Sequence, residues 1–200
     1  MIKLPTISLV AYGSHHYWEA QQKALDISSR FIKFGAVKNI IDDNCTSIDE
    51  WNKAIIYKLK DHVQTPHCLL VHPDGWIINP EMWTNRWLKY DFAGSPWPLP
   101  TDKVSYRDEE GNIVRVGNSV GLRSKKLLDL IAQIPEDKFW KVKEKYGNCN
   151  EDGWIACHNR KWLESKGCKF MPFSQAVYFG KEVPLPEHEG KKQFLFHKWP

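Results

Sequence analysis

The chain has 200 residues, ten of them Trp, and a formal net charge of +4; that is enough for one domain, 1–200, with a substantial core, and too mild a charge to demand a nucleic-acid partner. Five cysteines with no CxxC pair argue against a disulfide framework and a structural zinc knuckle, and for reduced thiols in a cytoplasmic protein. No apolar run approaches the roughly 20 residues that span a bilayer, and no basic segment followed by an apolar stretch opens the chain, so no membrane span is expected.

Residues 7–11 read as a first strand and Tyr12-Gly13-Ser14 as the turn that ends it. Apolar residues at three- and four-residue spacings over 16–34 predict an amphipathic helix closed by Gly35. A second strand over 36–41 ends at Asp42 and Asp43. Ser47 and Glu50 then form a capping-box pattern for a helix running to about Val63. Cys68-Leu69-Leu70-Val71 carries no polar interruption, as expected of a strand covered on both faces. Strand, helix, strand, helix, strand is a βαβαβ unit, whose right-handed crossovers make its strands parallel neighbours.

The third strand stops at His72-Pro73-Asp74-Gly75. Ligands of open α/β sheets bind beyond the carboxyl ends of strands, so an imidazole and a carboxylate two residues apart at such an end suit a divalent ion. The same four residues are also plain turn chemistry, and local sequence leaves both readings standing.

Beyond Pro80 the aromatic-rich segment 81–98 predicts a short helix, then a strand ending in an aromatic-walled loop. Trp and Tyr there serve equally as core and as stacking platforms. Residues 99–112 read as a hairpin or loop, 114–118 as a strand, and 121–124 as the lead into a helix that Pro135 stops. Asn150-Glu151-Asp152-Gly153 precedes a helix from Trp154 to about Lys166. A last strand is expected near 169–171, and the chain closes through the apolar segment 193–197.

Five separated pieces, HPDGWIINPEMW, YDFAGSPWP, VGNSVGLRSKKLL, NEDGWIACHNRKWLESKG and FLFH, together resemble a family of bacterial and viral proteins without assigned function. The fold of that family is related to the GT-A class of nucleotide-sugar glycosyltransferases. The resemblance implies a single-domain α/β, Rossmann-type, mostly parallel sheet flanked by helices. It also implies transfer of a sugar from a nucleotide-diphosphate donor to an acceptor hydroxyl with a divalent metal, Mn2+ or Mg2+. His72 and Asp74 look like the ends of the family's DxD metal element, with His in place of the first acid. That departure favours manganese, zinc or iron over magnesium, or leaves His72 to bond ribose or phosphate directly. His197 resembles the late metal-ligating His.

Glu151 and Asp152 resemble the acidic pair that supplies the base of an inverting transfer, Asp152 ahead of Glu151; helix N-terminal complementation is the alternative. Arg123 and Lys198 are expected beside the leaving phosphate. Tyr12, Asp42 and Asp43 are expected at the base and ribose, although turn and cap roles suit them too. Asp91 and Asn118 are expected at sugar hydroxyls, Trp97 as an apolar platform for the acceptor, and Gly121 as part of an acceptor floor. The acceptor is a glycan or, for a viral enzyme, a hydroxylated DNA base. The competing reading is a non-catalytic nucleotide- or carbohydrate-binding module of the same fold.

Overall fold

The computed structural model describes residues 1–147 and 149–198. Its sheet is built on β1 (Ile2–Gly13), with β2 (Ile32–Ile41) and β3 (His67–Leu70) parallel on either side. Then come β5 (Val116–Ser124), antiparallel to β3, and β4 (Phe92–Pro96), antiparallel to β5, giving the order β2-β1-β3-β5-β4. Four of the five strands therefore run one way, and the expected α/β, mostly parallel sheet is present with one reversed strand.

Side chains alternate across this sheet, so both faces need cover. Val10, Tyr12, Cys68 and Leu70 join one buried cluster, and Leu9, Ala11, Leu69 and Val71 join the other. The first cluster takes in residues of α2 (Ile48–Tyr57), α4 (Lys125–Ile131), α5 (Glu136–Tyr146), α6 (Glu151–Ala156) and α7 (Arg160–Ser165). The second takes in residues of α1 (Trp18–Ser29) and α8 (Phe173–Phe179). Cover on both faces is why β3 reads as an uninterrupted apolar run.

Several boundaries differ from expectation. The first helix stops at Ser29, and Gly35 lies inside β2 rather than closing a helix. The helix that Ser47 caps, through its hydroxyl accepting Glu50 N–H, ends at Tyr57 and is followed by the single turn α3 (Leu59–His62). Residues 114–118 and 121–124 do not flank a break: 116–124 is one strand that turns sharply at Asn118, whose φ is 88°. The helix expected from Trp154 starts at Glu151 and divides into α6 and α7. Near Phe170 there is a lone bridge to Phe92 in place of a strand. The tail pairs as β7 (Leu195–Phe196), parallel to β6 (Gly180–Lys181). Among the described residues no helix is long and apolar enough to cross a membrane.

Candidate active site

The end of β3 is a tight turn: His72 N–H donates to Gly75 O at 2.9 Å and Gly75 N–H to His72 O at 3.1 Å. Turn and ligand set coexist, because this turn lifts Asp74 beside His72 while the chain terminus is strapped across it. Phe196 N–H donates to Trp76 O, His197 N–H to Lys181 O and Lys198 N–H to Asp74 O. The strap lays the His197 ring edge-on to His72, centroids 5.0 Å apart, with its Nε2 3.4 Å from Asp74 Oδ1. One ligand atom from each of His72, Asp74 and His197 lies within 4.8 Å of the others.

The electrostatics follow from burial and from that clustering. Burial and then the charge of His197 push His72 down, so it stays a neutral imidazole with a free lone pair. Burial would depress His197 too, but its contacts with the Asp74 and Glu182 carboxylates outweigh it and raise the imidazole to about 9. The same contact with His197 holds Asp74 below the usual carboxylate range. Glu182 Oε1 stands 3.5 Å from His197 Nδ1 and 3.6 Å from Lys198 Nζ. A carboxylate behind a ligating His is the arrangement that fixes tautomer and ring orientation at metal sites. Nε2 of His72 is buried without a hydrogen-bond partner, an unmet need that a cation in this two-nitrogen, one-oxygen cluster would meet. The residues fit a divalent ion that accepts imidazole and carboxylate together, such as Mn2+, Fe2+ or Zn2+.

Two cavities adjoin the turn. The first, about 580 Å3, is walled by Tyr12, Trp51, His72, Asp74, Glu151 and His197, among others. Trp51 Nε1–H donates to Tyr12 O at 2.8 Å, and its ring meets His72 edge-on at 4.8 Å, which fixes one aromatic wall. The second, about 620 Å3, includes Trp97, Tyr106, Asp152, His158 and Glu182. Asn150 and Lys198 line both, so the cavity of the His72 cluster and Glu151 adjoins the cavity of Asp152.

The acidic pair divides between the cavities. Glu151 is 0% exposed, and neither carboxylate oxygen accepts a hydrogen bond; burial and then the Asp152 charge push it well above its usual range, against the field of Arg123. Asp152 is half-buried. Its Oδ2 accepts Asn118 N–H at 3.0 Å and its Oδ1 accepts Gly153 N–H at 2.7 Å. Burial and then the Glu182 carboxylate raise Asp152 as well.

Other expected residues lie elsewhere. Asp91 precedes β4, level with the start of β3, and accepts from Ser124 Oγ and Lys169 N–H; because β4 runs parallel to β3, this is the end of the sheet opposite His72. Arg123 is wholly buried, donating to the carbonyls of Ala93, Leu122 and Asn118 and standing 4.0 Å from Glu151, so it faces no leaving group. Gly121 lies inside the sheet, where a Cβ would meet Ala93 O at 2.3 Å; it permits strand approach and is not an acceptor floor.

Asn118 is wholly buried and satisfied by Ser95 Oγ and Val120 N–H, so it offers its main chain to Asp152 and no side chain to a sugar. Asp42 is occupied by Tyr12 OH, Lys58 and Asn44, and Asp43 by His15 N–H; neither lines the first cavity. Tyr12 does line it, and Trp97 lines the second cavity while packing on Tyr106. Sequence reasoning missed Trp51, which sits on the first turn of α2 after a legible cap. It also missed Glu182, for which no local signal exists because a two-residue strand pairing positions it.

A family model described as "Protein of unknown function (DUF5672)" matches residues 36–195. No curated protein matches the chain. Among solved structures, a glycosyltransferase involved in the glycosylation of the major capsid of PBCV-1 matches 97% of this chain and 93% of its own, with a TM-score of 0.50 at 9% identity. An active-site mutant of LgtC matches 96% of this chain and 88% of its own, with a TM-score of 0.50 at 10% identity. These likenesses establish a GT-A-like fold.

Proposed function

The chain belongs to the DUF5672 family of proteins of unknown function, and we propose that it is a metal-dependent glycosyltransferase moving a sugar from a nucleotide-diphosphate donor to an acceptor hydroxyl. The observation that supports this reading is that the cavity walled by His72, Asp74, His197 and Glu151 adjoins the one walled by Asp152. The first cavity takes the donor, with the base against the wall made by Tyr12 and Trp51. The second takes the acceptor, with Trp97 and Tyr106 as its apolar side. His72, Asp74 and His197 would hold the divalent ion, which when bound stabilises negative charge on the diphosphate.

Asp152 is the base. Its carboxylate takes the acceptor proton as the acceptor oxygen bonds to the anomeric carbon, and the old carbon–oxygen bond breaks with its electron pair passing to the phosphate. Burial and the nearby Glu182 charge raise Asp152, which makes it a better proton acceptor than an exposed carboxylate. Lys198, exposed at the mouth of both cavities, supplies positive charge toward the departing phosphate. Glu151 is too deeply buried to reach an acceptor and acts through its neighbours. An attack from the side opposite the leaving group makes the transfer inverting, and a glycan is the acceptor, with a hydroxylated DNA base the other candidate.

The test is a panel of nucleotide sugars with Mn2+, following nucleotide release. Release that requires metal and disappears in Asp152→Asn supports transfer; no binding and no release with any donor removes the reading. One observation favours a binding module instead: both Asp152 oxygens already accept main-chain hydrogen bonds. Donor binding without turnover, indifferent to Asp152→Asn, identifies that case.

A further inference from the structure

Beyond the acceptor cavity lies a third hollow of about 570 Å3 that shares Val104, Arg107, Tyr146 and His158 with it. Its character is different. Lys103, Arg107, Lys138, Lys141 and Lys145 all line it. Three of these lysines fall at spacings of three and four on α5, which puts them on one helix face where like charges repel unless an anion sits among them.

Little of that charge is neutralised from within. Arg107 donates only to the carbonyls of Gly111 and Asp102, Lys138 donates to Asn159 Oδ1, and Lys145 lies over the Tyr146 ring. Lys141 pairs with Asp137, but both side chains are mostly exposed and such a pair exchanges readily with solvent. The two carboxylates in the hollow keep their charge but leave an excess of three cations, and both are held by uncharged donors. Asp108 accepts from Glu110 and Asn112, and Glu109 accepts Lys161 N–H. Tyr146 and His158, which line both hollows, stack on each other with ring centroids 5.1 Å apart, so a ring pair stands between Asp152 and the lysines. Burial, and then the fields of Lys138 and Lys145, keep His158 neutral.

We propose that this hollow receives a negatively charged group, phosphate or carboxylate, of an oligosaccharide acceptor whose reacting hydroxyl lies at Asp152, an inference that rests on the transferase reading for the role of Asp152. A saccharide fits because ring faces and cations follow one another along one concave path. A nucleic-acid backbone fits less well. Its repeated phosphates want a long cationic stripe, whereas these cations line one hollow together with the fixed charges of Asp108 and Glu109.

The experiment is direct binding by calorimetry to the full chain, which needs no turnover. Three ligands of one backbone are compared: a neutral oligosaccharide, its uronic-acid form and its phosphorylated form, with a single-stranded DNA oligomer as the fourth. At least one acidic form should bind tenfold or more tightly than the neutral one. Lys141→Glu/Lys145→Glu should erase that preference, and Lys141→Gln/Lys145→Gln should reduce it. Which acid wins identifies the anion. Equal affinity for neutral and acidic forms, a preference that survives the charge reversal in a folded variant, or tighter binding of the DNA would each overturn the proposal. Nucleotide-sugar hydrolysis without acceptor reports on the transferase reading separately: a preference for acidic saccharides with no donor turnover keeps the hollow and removes the enzyme.

Discussion

The main-chain N–H of Asn118 donates to Oδ2 of Asp152 from a residue held at φ 88°, and the carbonyl of the same residue accepts from the buried guanidinium of Arg123 at 2.7 Å. Arg123 thus acts on Asp152 through the backbone of Asn118. A left-handed non-glycine residue costs on the order of 1 kcal/mol, sustained here by side-chain bonds to Ser95 and Val120. Asn118→Ala keeps the N–H but loses those bonds, and should destabilise the fold by about 2 kcal/mol in urea denaturation. Asn118→Gly relieves the strain, so it should cost less and keep Asp152 in place.

Asp152→Asn keeps an oxygen for only one of the two main-chain donors, Asn118 N–H and Gly153 N–H, so it should cost about 1 kcal/mol in urea denaturation, and it should lower transfer by at least about 100-fold by removing the proposed base. Glu151 behaves oppositely. Its folded-state value lies above its unfolded one, so the folded chain holds the proton more tightly, and stability is greatest at acid pH and falls as pH rises through the folded value. Glu151→Gln should lessen that decline, leaving the part that His197 contributes. Urea midpoints for both chains at pH 5 and pH 9 measure it, and a wild-type midpoint that does not fall with pH contradicts the buried, raised carboxyl.

The proposed metal cluster makes a separate pH prediction. Without metal, the His197 imidazolium is held by Asp74 and Glu182, a stabilisation fully present below its ordinary value and lost as pH rises through about 9. A metal must displace that proton, so Mn2+ affinity should strengthen as pH rises toward 9, by up to about tenfold per unit. Thermal shift with Mn2+ from pH 6.5 to 8.5 reads the slope. Asp74→Asn and His197→Ala should abolish the shift. Glu182→Gln, which touches the ring and not the ion, should weaken it by roughly 10-fold.

What the sequence disclosed depends on whether a feature is local. The apolar run at Cys68, the Ser47 cap and the turn at His72 were legible because each rests on neighbours in the chain. The placement of Asp91 was not, since the direction of β4 is set by pairing with β5 and not by its own residues. Arg123 was expected beside the leaving phosphate for a related reason. Only the assembled sheet puts it over the Phe92 ring at 4.0 Å with three carbonyls around its guanidinium. Helices α5 and α8 escaped notice because each begins directly after a proline that reads as a break. Glu182 reaches the site through two residues of β6 that no pattern announces.

Gly75 joins the turn to the terminal strap. A Cβ there would meet Val120 Cγ2 at 2.7 Å and both His197 Cδ2 and Phe196 O at 3.0 Å. The backbone oxygen cannot rotate away and Val120 is wholly buried, so the movable neighbour is the His197 ring. Gly75→Ala should therefore cost about 1–3 kcal/mol as overpacking and, in the same variant, weaken Mn2+ binding by tilting an imidazole it never touches as a ligand. Urea denaturation and the Mn2+ thermal shift measure the two effects independently. Lost stability with full metal affinity would mean that His197 is not a ligand, or that the strap moves as a unit with it. A matching Val120→Ala should then tell these apart: making room for the new methyl group restores both quantities only if crowding of His197 links them.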